Sequence, residues 1–236
     1  MSLYLSRLRL RRDPAVAALS ALLDPAEQGR ARDAHHRLIW SAFAGEADQR
    51  RDYLWRAEGQ GAFLTLSARA PLPSPFFEPP EVKPFAPDLA PGDRLAFVLR
   101  ANATRTRKSG RLTPSGKEHK QHIDLVMDAI HPLPLGRESG ERAAARMGAA
   151  QEVAQGWLAG QGARAGFAPL EVTAGDYSVS ALPGHVGKRR GQPQFGILDL
   201  TGVIVLTDPA AFLAQLAQGF GRARAFGCGL MLIRRA

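Results

Sequence analysis

Short apolar segments alternate with helical patterns along the chain, in an order typical of an α+β fold. Alternating leucines from Leu3 to Leu10 predict a first strand with arginines on its other face. A short helix capped at Asp13 follows, and a second helix reaches Phe43. Glycines at 59–61 predict the turn of a hairpin, and residues 95–100 form a fourth apolar strand.

A proline-rich stretch interrupts this first half. Residues 71–93 hold eight of the 17 prolines in the chain. Proline lacks a backbone N–H and has a fixed φ, which excludes a helix or a central strand here. We therefore expect an extended connection where a ferredoxin-like unit would place its second helix.

The second half follows a similar order of elements. The predicted elements are a strand at 123–130 (with a short helix as the alternative), a helix at 141–158, strands at 167–182 and 195–206, a helix capped by Asp208-Pro209, and a strand at 230–233. This order is strand-helix-strand-strand-helix-strand. The sequence therefore predicts tandem ferredoxin-like (RRM-like) βαββαβ domains, at residues 1–106 and 107–236.

Charge narrows the class of partner. The 236-residue chain has 31 Lys and Arg against 22 Asp and Glu, a formal net charge of +9. Such an excess favours nucleic acid or another acidic surface. Between Arg100 and His122 there are seven basic residues and one acidic residue, and the candidates for RNA contact are Arg105, Arg107 and Lys108. A solvated loop is the alternative interpretation of this segment.

Other classes of protein are disfavoured. The single cysteine, Cys228, excludes an intramolecular disulfide and a cysteine-based zinc cluster. The chain has no apolar run of about 18 residues and no signal-like N-terminus, so we expect a cytoplasmic protein without a membrane partner. We also expect no cofactor, and a monomer when the protein is isolated.

A glycine run near the C-terminus is the most informative local pattern. Residues 219–229 contain four glycines, at 219, 221, 227 and 229, together with Arg222 and Arg224. Glycine allows close backbone approach, and arginine suits phosphate. A nucleotide-binding loop is excluded, because here a predicted helix precedes the loop and Leu230-Met231 replaces the expected Lys-Ser/Thr. The alternatives that remain are a backbone surface for RNA and a tight connection that only permits packing.

A histidine pair on the second predicted helix is the candidate for chemistry. His36 should lie at the edge of the buried face or beyond it, because Leu38 and Ile39 face the core. An unperturbed histidine titrates near pH ~6.5, which suits proton transfer from a ribose hydroxyl that attacks the adjacent phosphate. Lysine or arginine can stabilise that transition state, so a metal is not required. A surface or capping histidine is the alternative, and His35-His36 is a poor metal pair because neighbouring side chains diverge.

A second basic segment lies between two predicted strands. Residues 184–191 place Lys188, Arg189 and Arg190 between glycines. Such a hairpin can follow a phosphate backbone, and the alternative is a disordered turn. Aromatic residues are 7% of the chain and form no RNP-type row, so recognition by shape and phosphate fits better than base stacking.

Several segments together resemble the CasE family of CRISPR-associated endoribonucleases, the repeat-processing subunits of type I-E Cascade. The matching segments, in chain order, are Tyr4-Leu5-Ser6-Arg7-Leu8, His36-Arg37-Leu38-Ile39-Trp40, Lys83-Pro84-Phe85, Leu99-Arg100-Ala101-Asn102, and the glycine run Gly219 to Leu230. The resemblance implies two ferredoxin-like domains. It also implies metal-independent cleavage of a CRISPR repeat hairpin, a 2′,3′-cyclic phosphate product, and retention with other Cascade subunits on the guide RNA.

The resemblance assigns roles to residues. The family's catalytic histidine falls on His36, and Arg37, Arg100 and the glycine-run residues are expected RNA contacts. Where the family often has a tyrosine, three residues before that histidine, this chain has Asp33. Asp33 is expected to act as a base, to orient His36 or to cap the helix, and His35 is a further candidate to assist.

Two other functions stay open at this point. One is an RNA-binding scaffold that has lost catalysis, and the other is a binder of ribosomal or transfer RNA. Cleavage of repeat RNA in EDTA would separate the enzyme from the scaffold. Competition by unrelated structured RNA at matched salt would identify the third class.

Overall fold

The described residues form two four-stranded antiparallel sheets and one two-stranded hairpin. The computed structural model describes residues 3–26, 28–46, 49–112, 115–133, 139–182 and 193–236. No helix in these ranges is both long enough and apolar enough to cross a bilayer.

The N-terminal sheet has the strand order of a ferredoxin-like unit. Its strands are β1 (Leu3–Arg9), β2 (Tyr53–Gly59), β3 (Ala62–Ser67) and β4 (Glu81–Phe85), in the order β2-β3-β1-β4. The helices α1 (Pro14–Ala17), α2 (Ser20–Leu23) and α3 (Gln28–Trp40) connect β1 to β2. Asp13 caps α1 by accepting a hydrogen bond from the backbone of Val16, as expected from the sequence.

The proline-rich stretch contributes a strand that the sequence analysis did not predict. β4 pairs antiparallel with β1 at the edge of the sheet, with Pro84 opposite Tyr4. An edge strand tolerates proline because its outer side pairs with no other strand, so a missing backbone N–H on that side costs no hydrogen bond. The fourth strand of this sheet is therefore β4, and the predicted fourth strand, at 95–100, lies in the other sheet.

The C-terminal sheet repeats the same order of strands. Its strands are β5 (Arg94–Ala101), β8 (Phe167–Ala181), β9 (Gln194–Leu206) and β10 (Met231–Arg235), in the order β10-β5-β9-β8. α5 (Ser139–Ala165) connects into β8, and α6 (Pro209–Gln218) follows β9. Both sheets thus have the 4-1-3-2 order of a βαββαβ unit, and the prediction of an α+β fold is confirmed.

An insertion between β5 and α5 changes the interpretation of the basic segment. β6 (Thr104–Leu112) and β7 (Glu118–Asp124) form an antiparallel hairpin, followed by α4 (Leu125–Ile130). Residues 125–130 are therefore helical, which was the alternative to a strand. The basic side chains lie on a hairpin rather than in an irregular loop.

Strand pairing also bears on the predicted domain limits. β5 was assigned to a domain of residues 1–106, but it hydrogen-bonds to β9 and β10 of the C-terminal sheet. The chain passes from one sheet to the other between Phe85 and Arg94. The apolar pattern of β5 does not reveal its neighbours, because pairing depends on which strands the connections allow.

Buried apolar side chains form two hydrophobic cores among the described residues. One lies under α3, where Leu38, Ile39 and Phe43 pack with Trp55 and Phe63. The other lies between the C-terminal sheet and its helices, and it also includes Leu54 and Leu66 of the N-terminal sheet. Side chains from both sheets therefore share one core, which fixes α3 relative to the C-terminal glycine run.

Candidate functional site

α3 turns its two neighbouring histidines in different directions. The His35 ring lies against the core, with its Nε2 2.8 Å from Asp24 Oδ1 and its centroid 4.8 Å from the Phe63 centroid in an edge-to-face contact. Only 12% of the side chain is exposed. Burial lowers the pKa of His35, although the hydrogen bond to Asp24 opposes that shift. His35 is therefore a packed, hydrogen-bonded residue.

His36 has different surroundings. It is half-buried, and its Nδ1 is enclosed without a hydrogen-bond partner among the described residues. Burial lowers the pKa of His36 most, followed by the positive charge of Arg51, while Asp33 acts in the opposite direction. The ring is therefore neutral at pH 7, and no group in the described part of the chain fixes its Nδ1.

Asp33 pairs within its own helix. Its Oδ2 lies 2.9 Å from Arg37 Nη2, four residues later, and the Arg37 side chain is 78% exposed. α3 begins at Gln28, so Asp33 lies inside the helix and the predicted capping role is wrong. The sequence suggested a cap because aspartate favours that position, but α3 already begins five residues earlier.

The positive charge of Arg51 acts on His36, and the sequence analysis did not single out this residue. It stands two residues before Tyr53, whose ring stacks on Phe43 at 4.4 Å. Between them, Asp52 pairs with Arg69 at 2.8 Å. No sequence motif marks Arg51.

The glycine run follows α6 and needs its glycines for close packing. Gly219, Gly221, Gly227 and Gly229 have φ angles of 81°, 75°, 79° and 93°. A Cβ on Gly221 would lie 2.7 Å from the backbone oxygen of Asn102, and one on Gly219 would lie 2.8 Å from Leu54. These distances leave no room for a side chain, so the glycines are needed for close packing. The run is also a candidate RNA surface.

Hydrogen bonds attach the glycine run to both sheets. The Trp55 indole of β2 donates to the Ala225 carbonyl at 3.2 Å. The amide of Gly229 donates to the Arg100 carbonyl at 2.7 Å, at the end of β5. The run therefore joins the sheet that carries α3 to the C-terminal sheet.

The Arg-Ala-Asn segment is engaged inside the protein. Arg100 makes two hydrogen bonds of 2.8 Å to the carboxylate of Asp199, and these bonds raise its pKa. The buried Asn102 amide donates to the Gly196 carbonyl at 2.7 Å. The predicted RNA contact by Arg100 stays a prediction, and in the free protein its guanidinium is held by Asp199.

We group Arg51, Arg222 and Arg224 as a cation cluster, because the positive charges of Arg51 and Arg222 both act on Arg224, and that of Arg51 also acts on His36. Burial lowers the pKa of Arg224 most, followed by the positive charges of Arg51 and Arg222. Arg222 also acts on His122 of the inserted hairpin, whose pKa is lowered. Within the described ranges, none of the three forms an ion pair with a carboxylate.

The other predicted basic residues are distributed differently. On the hairpin, Arg105 pairs with Asp128 at 2.6 Å and Lys108 pairs with Glu118 at 3.0 Å. Arg107 is exposed. The predicted contacts Lys188, Arg189 and Arg190 lie outside the described residues.

A second feature missed by the sequence analysis lies on the His35 side of α3. The Arg32 guanidinium lies 5.8 Å from the Phe195 centroid, and Phe195 stacks on Phe226 at 5.6 Å.

No group of three or more histidine, cysteine or acidic side chains arranged for a metal is found among the described residues.

Comparison with known proteins identifies the family. A family model described as CRISPR associated protein matches residues 3–235. The chain belongs to this CRISPR-associated family. The resemblance found in the sequence is thereby confirmed across nearly the whole chain.

Relatives of this CRISPR-associated protein agree with the assignment. The Cascade subunit CasE of Escherichia coli K12 is 24% identical over 203 residues, which cover 83% of this chain and 88% of CasE. The crystal structure of Cas6e from the same strain aligns with a TM-score of 0.61, 20% identity, and coverage of 99% and 100%. A Thermus thermophilus Cse3 structure bound to an RNA that represents a pre-cleavage complex gives 0.60, 24% identity, and coverage of 99% and 100%.

Proposed function

We propose that this protein is an endoribonuclease that binds the hairpin of a CRISPR repeat and cuts precursor CRISPR RNA into guide RNA. The observation that carries the proposal is the half-buried His36, whose enclosed Nδ1 has no hydrogen-bond partner among the described residues and whose ring feels the positive charge of Arg51. Family membership supports the class of substrate. A Cse3 structure bound to a 19-nucleotide RNA, 25% identical and covering 98% of this chain, supports it further.

The proposed reaction uses the RNA's own 2′-hydroxyl. That oxygen attacks the adjacent phosphorus, the bond to the 5′-oxygen of the next nucleotide breaks, and the products are a 2′,3′-cyclic phosphate and a free 5′-hydroxyl. His36 accepts the proton of the 2′-hydroxyl, since its neutral ring can accept one near pH 7, and the departing 5′-oxygen takes a proton from the resulting imidazolium or from water. Positive side chains nearby stabilise the extra negative charge of the transition state.

Asp33 has a lesser part in this proposal. Its carboxylate pairs with Arg37, and a second anion next to the RNA phosphates is unfavourable. We therefore assign Asp33 to electrostatic tuning of His36 rather than to proton transfer. His35 is assigned to holding α3 in place, because its ring is already engaged with Asp24 and Phe63.

We further propose that the protein stays on its guide RNA and joins a Cascade assembly. The relative named CasE is a subunit of that complex, and the likeness covers most of both chains. The exposed hairpin β6–β7, with its basic side chains, is suited to contact the phosphate backbone of the RNA.

A cleavage assay in EDTA tests the proposal. Purified protein is incubated with the repeat RNA of its own CRISPR array and excess EDTA, and the product ends are analysed. A single cut with a cyclic phosphate end is expected, and a 2′-deoxy substitution at the cut nucleotide should abolish it while binding persists. Tight binding without any cut of the natural RNA would instead support the scaffold function.

A further inference from the structure

The direction of the hairpin β6–β7 depends on how its base is attached to the rest of the protein. Among the strands that the structure describes, β6 and β7 pair with each other and with no strand of the two larger sheets. A two-stranded hairpin is only marginally stable by itself in water. Contacts at the base therefore set where the hairpin points, and there Asn102 precedes β6 and Asp124 ends β7.

Asp124 attaches the β7 strand to the C-terminal sheet. Its Oδ1 accepts a hydrogen bond of 3.0 Å from the Tyr177 hydroxyl, and Tyr177 belongs to β8. The same oxygen accepts a hydrogen bond of 3.0 Å from the Met127 amide, which caps α4. Both Asp124 and Tyr177 are half-buried, where an unpartnered carboxylate or hydroxyl would be costly. One carboxylate thus joins the hairpin, α4 and β8.

Gly196 of β9 lies against this carboxylate. A Cβ on Gly196 would overlap the Asp124 carboxylate and lie 2.6 Å from the Tyr177 hydroxyl. The φ of Gly196 is not in the left-handed region, so glycine is needed here for space. On the other strand of the base, the Asn102 amide donates to the Gly196 carbonyl at 2.7 Å. We call Asn102, Asp124, Tyr177 and Gly196 the hairpin anchor.

The hairpin anchor places β6 beside the glycine run. The Arg222 amide donates to the Asn102 carbonyl at 3.3 Å, so exposed Arg222 pairs with the residue two positions before β6. Further along the hairpin, Lys108 lies directly opposite Lys120. Like charges at opposite positions are unfavourable in a free hairpin. A phosphate backbone that follows the hairpin from Arg222 would offset this repulsion.

We propose that Asp124 and Tyr177 are positioning residues for RNA binding, which fix the direction of the hairpin so that its lysines and Arg222 contact the same RNA strand. This inference rests on the proposed RNA-binding function. Neither residue touches the RNA, and both act through the hairpin. A hairpin that already points in the binding direction loses less conformational freedom when RNA binds. If only a fraction of free molecules has that direction, the apparent affinity falls by that fraction.

The test compares Tyr177→Phe and Gly196→Ala with Tyr4→Phe. Tyr177→Phe removes one hydroxyl and leaves Asp124 as the cap of α4, whereas Tyr4→Phe removes a hydroxyl from β1 in the other sheet. Affinity for repeat RNA made uncleavable by a 2′-deoxy substitution should fall about 3- to 10-fold in Tyr177→Phe, and further in Gly196→Ala. Tyr4→Phe should bind like wild type. The single-turnover rate at saturating cleavable RNA should stay within about two-fold of wild type in Tyr177→Phe, because bound RNA restores the hairpin direction.

A distance measurement in the free protein tests the geometry without RNA. Spin labels on Gln121→Cys of β7 and Thr201→Cys of β9 report the hairpin direction, since both positions are exposed and the native Cys228 is buried. Pulsed electron resonance should give a narrow distance distribution in the labelled wild-type background. Tyr177→Phe should broaden this distribution, and bound repeat RNA should narrow it again.

The results separate this inference from the proposed cleavage function. If wild-type protein binds the repeat RNA and never cuts it, cleavage fails as a function, while affinity and distance still decide the role of Asp124 and Tyr177. Wild-type affinity and a narrow distribution in both Tyr177→Phe and Gly196→Ala would overturn the inference. A lower affinity with an unchanged distribution would also overturn it, because the hairpin direction would not be the cause. The same holds if affinity falls only together with the melting temperature and recovers where the variants are folded.

Discussion

The two sides of α3 differ in how far their polar groups are satisfied inside the protein. On what we call the closed side, His35 bonds to Asp24, Trp55 bonds to the glycine run, and Arg100 bonds to Asp199. On the open side, His36 has a partnerless Nδ1, and the cation cluster has no carboxylate partner among the described residues. The polar groups of the closed side already have protein partners, whereas those of the open side have none among the described residues. A charged substrate would therefore gain more binding free energy on the open side.

This comparison also shows that a conspicuous sequence pattern can mark a structural role rather than a contact with the substrate. The glycine run and Arg100-Ala101-Asn102 stand out in the sequence, yet the structure uses them mainly on the closed side, to join the two sheets. Arg51 does not stand out, yet it lies on the open side. Residues that define a family are thus partly those that keep its site in shape.

The largest expected effect is on catalysis by His36. In His36→Ala, the single-turnover cleavage rate should fall by about 10²- to 10⁴-fold, because proton transfer by a positioned side chain contributes that much. RNA affinity should stay within a few-fold of wild type. Gel-based cleavage kinetics and a binding titration measure both quantities. A His36→Ala rate within ten-fold of wild type would remove His36 from the mechanism.

Breaking the closed side should affect stability instead. In Gly221→Ala, the new Cβ would lie 2.7 Å from the Asn102 carbonyl oxygen at a φ of 75°. We expect a loss of about 2–4 kcal/mol in the free energy of unfolding, from left-handed strain and steric overlap. Gly59→Ala is the matched control, since Gly59 has a φ of 89° and open space around it, and it should lose about 1 kcal/mol. Equal losses in urea denaturation would contradict the packing role of the run.

We expect a smaller loss of stability from substitution of His35, which lies on the closed side. His35→Ala removes the hydrogen bond to Asp24 and the contact with Phe63, and should cost about 1–3 kcal/mol. Its cleavage rate, measured at a temperature where the variant is folded, should remain near wild type. A large rate loss in fully folded His35→Ala would make both histidines catalytic and end the distinction between the two sides.

Stability should also depend on pH through the histidines. Burial lowers the folded-state pKa of both His35 and His36 below the unfolded value of about 6.5. The unfolded chain then binds more protons, so the stabilising contribution is complete above about pH 6.5 and declines as the pH falls toward the lowered pKa values. Thermal melts across this range should show that decline, and His35→Asn should show less of it. Equal pH dependence in wild type and His35→Asn would contradict the burial of His35.

The smallest effect is expected at Asp33. Asp33→Asn removes a charge that favours the protonated form of His36, and the pKa of His36 should therefore fall further. The cleavage rate at pH 7 should change by less than about ten-fold. A loss of 10²-fold or more, with RNA binding retained, would instead assign proton transfer to Asp33.

Local pattern predicted much of the fold but not how the strands pair. Helical spacing placed α3 and α6, alternation placed β1, and apolar content placed β9 and β10. Local pattern did not predict which strands are neighbours in a sheet. β5 joins the C-terminal sheet, and Glu81–Phe85 is an edge strand despite Pro84. Strand pairing is a long-range property that a single apolar run does not encode.

The candidate site was predictable to a similar degree. His36 was found from its residue type and its place on the helix, and the glycine run from its composition. The effect of Arg51 on His36 was not found, because the two residues are 15 positions apart and no motif links them. The engagement of Arg100 by Asp199 was equally hidden, since the two residues are 99 positions apart and meet only when β5 pairs with β9.

The central claim is that His36 faces the RNA while His35 faces the protein. The most direct measurement is an NMR titration of histidine-labelled protein, with and without the uncleavable 2′-deoxy repeat hairpin. The bound phosphate should shift the His36 ring signals and raise the pKa of His36, while the His35 signals and pKa stay unchanged. A shift confined to His35, or no change at His36 in the saturated complex, would contradict the account.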